Sequence, residues 1–97
     1  MDPAKPDINI SDVVISTAGR DSGDWFYVIA EDPIFLYLAN GKDRSLEKPK
    51  RKKRKHVQKV LRSETRVAVK LRNGDKVLNG ELRRDLAFLI REIQSMT

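Results

Sequence analysis

The sequence predicts a mainly β protein with C-terminal helices: a small barrel of short strands, followed by a helical tail. Three observations point there. Up to residue 48, short apolar, β-branched and aromatic runs alternate with clusters of Gly, Asp, Pro and Asn, the punctuation of closely spaced strands. Beyond residue 62 the apolar residues recur at helical spacing instead. With 97 residues, the chain has room for one small domain.

Residues 1–9 carry two prolines and mixed charges without periodicity, and a flexible tail is expected there. In the first strand Val13 and Ile15 share one face and Val14 takes the other. The turn Ala18-Gly19-Arg20-Asp21-Ser22-Gly23-Asp24 follows. Its glycines supply backbone freedom and its aspartates side-chain-to-backbone bonds. The second strand, Trp25-Phe26-Tyr27-Val28-Ile29-Ala30, places Phe26, Val28 and Ala30 opposite Trp25, Tyr27 and Ile29. Glu31-Asp32-Pro33 makes a tight reversal, with the Pro33 ring presetting a turn dihedral. A third strand runs from Ile34 to Ala39, and Asn40-Gly41 is the strongest hairpin signal in the chain. A fourth strand is expected over Arg44-Ser45-Leu46-Glu47-Lys48, ended by Pro49, which lacks a ladder donor. A fifth is possible near His56-Val57-Gln58. The barrel is thus assigned to residues 10–60. Phe26 and Phe35 are expected in its core. Trp25, beside the Gly-rich turn, reads as rim packing or as a platform for stacking a base.

The helical extension is assigned to residues 61–97. Leu82, Leu86, Leu89, Ile90 and Ile93 fall on one helical face, with Asn79 a candidate N-cap and Glu81 near the positive helix end. This stripe reads as a docking face against the barrel or another helix; a homodimer interface through residues 82–93 is the sharper alternative. Between the two parts, Ser63 to Gly74 fits a helix capped by Ser63 and ended by Asn73-Gly74. Its alternating Val67, Val69 and Leu71 equally fit a strand.

Charge is segregated along the chain. Residues 1–41 carry two basic and seven acidic side chains, residues 42–66 twelve basic and three acidic, and residues 67–97 six basic and four acidic. The net +6 therefore hides a belt of +9 in the middle, peaking at Lys48-Pro49-Lys50-Arg51-Lys52-Lys53-Arg54-Lys55-His56. Six consecutive cations repel one another and invite a polyanion. A solvated loop, a nuclear-localisation-like signal and a lipid-binding polybasic stretch compete with nucleic acid for this segment. A protein–protein adaptor using the C-terminal helix is the alternative function.

Other chemistry has little to build on. There is no Cys and a single His, so thiol nucleophiles, disulfides and cysteine zinc sites fall away. Neither Gly-x-x-x-x-Gly-Lys-Ser/Thr nor Gly-x-Ser-x-Gly occurs. No enzyme activity, cofactor or metal is expected. No apolar run approaches the roughly 18 residues of a membrane span. The first residues lack the basic and apolar regions of a secretory signal, so a cytoplasmic location without membrane partners is expected.

Residues 13–57 resemble the KOW-motif RNA-binding proteins, small bacterial relatives of a KOW-type large-subunit ribosomal protein of archaea and eukaryotes. The matching pieces are Ala18-Gly19-Arg20-Asp21-x-Gly23, then Phe26-Tyr27-Val28-Ile29. Next come Leu38-Ala39-Asn40-Gly41-x-x-Arg44-x-Leu46-Glu47-x-Pro49-Lys50 and Lys55-His56-Val57. The resemblance implies an SH3-like five-stranded barrel and a partner in RNA, ribosomal RNA or the ribosome above all. It also tips residues 63–73 toward helix. The first turn is more acidic here than the family pattern and the basic run denser, which moves the expected phosphate contacts to a loop at residues 48–56. The candidate RNA-binding residues are Arg20, Arg44, Lys48, Lys50, Arg51, Lys52, Lys53, Arg54, Lys55 and His56. Lysines would meet phosphates as point charges, and Arg44, Arg51 and Arg54 would grip phosphate with a fork or stack on a base.

Overall fold

Two kinds of turn set the strand boundaries. In the first, Gly19 and Gly23 adopt φ of 87° and 94°, which lets Gly23 N–H reach Ser16 O and Ser16 N–H reach Asp24 O. In the second, Asp32 Oδ1 accepts the backbone N–H groups of Ile34 and Phe35 at 2.8 and 2.6 Å, closing the expected reversal. These amide donors hold the Asp32 carboxyl below the usual range.

A computed structural model describes residues 7–96. Its strands are β1 (Asp12–Ser16), β2 (Trp25–Glu31), β3 (Phe35–Ala39), β4 (Lys50–Lys53) and β5 (Val57–Arg62). A 3₁₀ turn, Arg54–His56, joins β4 to β5, and helices α1 (Arg66–Asn73) and α2 (Asn79–Gln94) follow. The strands form one antiparallel sheet in the order β4-β3-β2-β1-β5. Bulges at Val28/Ala30 and opposite Val13/Val14 add local twist.

Both faces of the sheet are covered. Val14, Phe26, Val28, Leu36 and Leu38 form one cluster with Ile8, and Val57 packs against it. On the other face Val13, Tyr27 and Ala39 pack with Val67, Ala68, Leu82 and Leu86 of the helices. The expected alternation in β2 is the reason: Phe26 and Val28 go to the first cluster, Trp25, Tyr27 and Ile29 to the second. Full burial of Leu82 alone contributes roughly 1.5–3 kcal/mol. A polar knot pins the helices to the sheet. The Tyr27 hydroxyl donates to Asp85 Oδ2 at 2.5 Å and accepts from Ser63 Oγ at 2.9 Å, and Thr65 Oγ1 also donates to Asp85 at 2.9 Å. Burial pushes the Tyr27 hydroxyl well above the ordinary tyrosine range, and the Asp85 carboxylate pushes it further.

Several expectations need correction. The fourth strand is not residues 44–48 but Lys50–Lys53, after Pro49. Pro49 precedes the ladder, where its missing donor costs nothing. Asn40-Gly41 turns the chain, but β4 begins only at Lys50, so this is no two-residue hairpin. The fifth strand extends to Arg62, two residues past the expected barrel boundary. Of the expected tail, residues 1–6 lie outside the described residues. Ile8 is 2% exposed and its carbonyl accepts from Arg54 Nη1 at 3.0 Å, so it belongs to the core. Phe35 is half-buried rather than core. Residues 66–73 are helix, capped by Thr65 rather than Ser63, with Gly74 at φ 75° as the stop. Asn79 does not cap α2; it ties α2 to the segment before β4, as its Oδ1 accepts Leu46 N–H and its Nδ2 donates to Glu47 Oε1. The α2 stripe docks on this chain's own sheet. Leu82 and Leu86 are buried there, while Leu89, Ile90 and Ile93 are half-buried.

Candidate nucleic-acid interface

The basic run is a strand, and strand alternation sorts its side chains. β4 pairs with β3 as Phe35↔Lys53, Leu36↔Lys52, Tyr37↔Arg51 and Leu38↔Lys50. Directly paired residues share a face. Lys50 and Lys52 therefore lie on the face of the core residues Leu36 and Leu38, their stems covering apolar surface. Arg51 and Lys53 lie on the opposite face with Tyr37 and Phe35.

The inward lysines are committed to the fold. Lys52 is 8% exposed; its ammonium donates to Asp21 Oδ1 at 2.5 Å and to Ala18 O at 2.6 Å. Lys50 Nζ lies 3.1 Å from Asp21 Oδ2, an ion pair without hydrogen-bond alignment, so that this oxygen has no hydrogen-bond partner. Ser16 Oγ donates to Asp21 Oδ1 at 2.7 Å. Burial raises the Asp21 carboxyl, but hydrogen bonds from Lys52 and Ser16 and the nearby Lys50 ammonium outweigh it and hold the group well below the carboxylate range. Asp21 thus anchors β4 to the β1–β2 turn.

The outward side chains form a different surface. The Arg51 guanidinium sits 4.3 Å from the Phe35 ring centroid, a cation–π contact reached diagonally across the ladder. Tyr37 is half-buried beside it. At the end of the strand Pro33, Ile34, Lys53, Arg54 and Lys55 line a shallow hollow, where Ile34 is 61% exposed. The result is a row of Tyr37, Phe35 and Ile34 bordered by Arg51, Lys53 and Lys55, a combination of ring faces and cations suited to bases and phosphates.

The ten expected site residues therefore separate. Arg20, Arg44, Lys48, Arg51, Lys53 and Lys55 are exposed and form no ion pair among the described residues. Lys50 and Lys52 hold Asp21. Arg54 is a clamp: it donates to Glu31 Oε1, Asp32 O and Ile8 O at 2.9–3.0 Å. His56 is half-buried, and its carbonyl accepts Thr17 N–H at 2.9 Å. Arg20, Arg44 and Lys50 come together beside the β1–β2 turn, apart from the outward face of β4. Phe35 and Tyr37 were not among the expected site residues. Their signal, the apolar run Ile34 to Ala39, reads as a strand buried on both faces; only the cationic partner strand shows that one face opens to solvent. Trp25 packs against the helix-side core as a rim residue. Among the described residues no group of His, Asp and Glu is placed to hold a metal ion, and no helix is long and apolar enough to cross a membrane. Compared with known proteins, the chain matches no protein-family model and no curated relative.

Proposed function

We propose that the chain is a cytoplasmic RNA-binding protein that contacts ribosomal RNA or the ribosome through the outward face of β3 and β4. The observation that carries this reading is the registered pairing of Tyr37 and Phe35 with Arg51 and Lys53, cations that no carboxylate of the described residues neutralises. Rings and unpaired cations side by side suit unpaired bases and the phosphates between them. The Lys50–Asp21 and Lys52–Asp21 pairs fix the strand from below, so the outward side chains ride on a rigid support.

The same proposal gives the fold its finer description, an SH3-like barrel of the KOW type. Its support is the strand order, the two bulges, and the 3₁₀ turn that carries the chain from one sheet edge to the other. Val57 of β5 also packs with Leu36 and Leu38 of β3 in one cluster, as curling of the sheet requires. The adaptor reading draws no support from the α2 stripe, since Leu82 and Leu86 serve this chain's own core.

Ultraviolet crosslinking in the protein's own cells, with sequencing of the attached RNA and mapping of the adducts, tests the reading. Enriched ribosomal RNA with adducts on Phe35 or Tyr37 is expected. Recovery of no enriched RNA overturns it.

A further inference from the structure

Two hollows open on either side of the segment 40–44, and Asp24, Asn40 and Asp43 line both. The first, of about 210 Å³, is walled by Trp25 of β2 and by Arg83, Leu86 and Ala87 of α2. The second, of about 270 Å³, holds Arg20, Arg44 and Lys50. Each is smaller than the roughly 300 Å³ at which whole small-molecule sites begin, and much larger than the ~30 Å³ share of one water. Together they suit one flat ring in the first hollow and one charged group in the second.

The walls are preset. Asn40 Oδ1 accepts the backbone N–H groups of Lys42 and Arg44 at 2.9 and 3.0 Å. Gly41 approaches α2 so closely that a Cβ there would lie 2.3 Å from Asn79 O. The charges around these walls are unspent: Arg20, Asp24, Asp43, Arg44 and Arg83 make no ion pair or side-chain hydrogen bond among the described residues. Opposite charges thus share one groove without neutralising each other. A simple polyanion would be repelled by Asp24 and Asp43. A ligand that carries both an anion and hydrogen-bond donors satisfies the whole set.

We infer that this groove, a second contact apart from the outward face of β4 whose reading rests on the proposed RNA binding, takes one unpaired guanine nucleotide of the bound RNA. The base lies against Trp25, and the phosphate meets Arg20 and Arg44, while Lys50 stays paired with Asp21. Guanine is selected by the carboxylates. Its adjacent N1–H and N2–H donors match the two oxygens of Asp24 or Asp43, as a guanidinium fork does. Adenine and cytosine set an acceptor beside their amino donor, and uracil has one N–H between two acceptors.

Trp25 is the single tryptophan of the chain, so its emission reports directly on the groove. The test is titration of the whole protein with short single-stranded uridine oligomers, with or without one central guanosine, reading tryptophan emission and the anisotropy of a labelled RNA. The guanosine oligomer is expected to bind roughly 5- to 150-fold tighter and to quench Trp25. The double variant Asp24→Asn/Asp43→Asn is expected to lose that preference and to bind the uridine oligomer at least as tightly as the wild-type protein does, since two repelling carboxylates are gone. Equal binding of both oligomers without a change in Trp25 emission overturns the guanine site and leaves the RNA-binding reading standing. A guanosine preference that survives in the double variant also overturns it. Failure of both oligomers to bind overturns the RNA-binding reading, and the guanine site with it.

Discussion

Replacing Lys52 by Gln separates the structural lysines from the binding ones. Lys52 is 8% exposed and its partner Asp21 13%, so the pair is largely withdrawn from water. Breaking a buried pair by removing one partner costs about 3–5 kcal/mol when the remaining charge is uncompensated. Here Asp21 keeps Ser16 Oγ at 2.7 Å and Lys50 at 3.1 Å, which brings the expected loss to about 2–3 kcal/mol. In a domain of this size each 1 kcal/mol moves Tm by roughly 4–8 °C, so a fall of about 8–24 °C is expected. Lys53 is adjacent, exposed and unpaired; Lys53→Gln should change stability by less than about 0.5 kcal/mol while weakening RNA binding. Urea and thermal unfolding followed by circular dichroism measure both. A Lys52→Gln protein as stable as wild type, or a Lys53→Gln protein equally damaged, refutes the assignment of the two faces. The anchor also has a pH signature. Because the folded-state pKa of Asp21 is depressed, its contribution is present above the unfolded-state value of about 4 and is lost as pH falls from there through the lower folded value. Between about pH 5 and pH 3, Asp21→Asn should therefore lose less stability than wild type.

Tyr27→Phe removes a hydroxyl shared by Ser63 and Asp85 and should cost about 1–3 kcal/mol in urea unfolding; no loss would mean that the knot does not hold the helices. In alkaline spectrophotometric titration one of the two tyrosines should resist ionisation above about pH 10, because the raised Tyr27 pKa favours the fold until pH passes that of the unfolded chain. Gly41→Ala drives a Cβ against the backbone of α2 and should destabilise far more than Gly23→Ala. At Gly23 a Cβ meets nothing within 4 Å and only the positive φ opposes it. Equal effects in thermal unfolding would mean that the segment 40–44 does not pack on α2.

Where local chemistry decides structure, the sequence was readable. The first three strands, the glycine turn at residues 18–24, the reversal at Asp32 and the α2 stripe all follow from neighbours a few residues apart. β4 was not readable in the same way. Lys50-Arg51-Lys52-Lys53 has no apolar contrast from which a period of two could be seen. Its strand geometry comes from pairing with β3 and from Asp21, 31 residues away from Lys52 in sequence. Leu46 suggested a strand because it is apolar between polar neighbours; it packs instead against the helix-side core. The site was half legible for the same reason. Composition located the cations, but alternation across an unrecognised strand decided which of them remain free.

The central claim is that the unpaired cations of the basic belt and of the β1–β2 turn meet phosphates, and its most direct test is the salt dependence of binding to a ribosomal RNA fragment. If Arg20, Arg44, Lys48, Arg51, Lys53 and Lys55 each neutralise one phosphate, the logarithm of affinity should fall against the logarithm of salt with a slope of about −4 to −5. The folded variant Arg51→Gln/Lys53→Gln/Lys55→Gln should retain a slope of only about −2 to −3. A wild-type slope near zero, or a slope unchanged in the triple variant, would contradict the account.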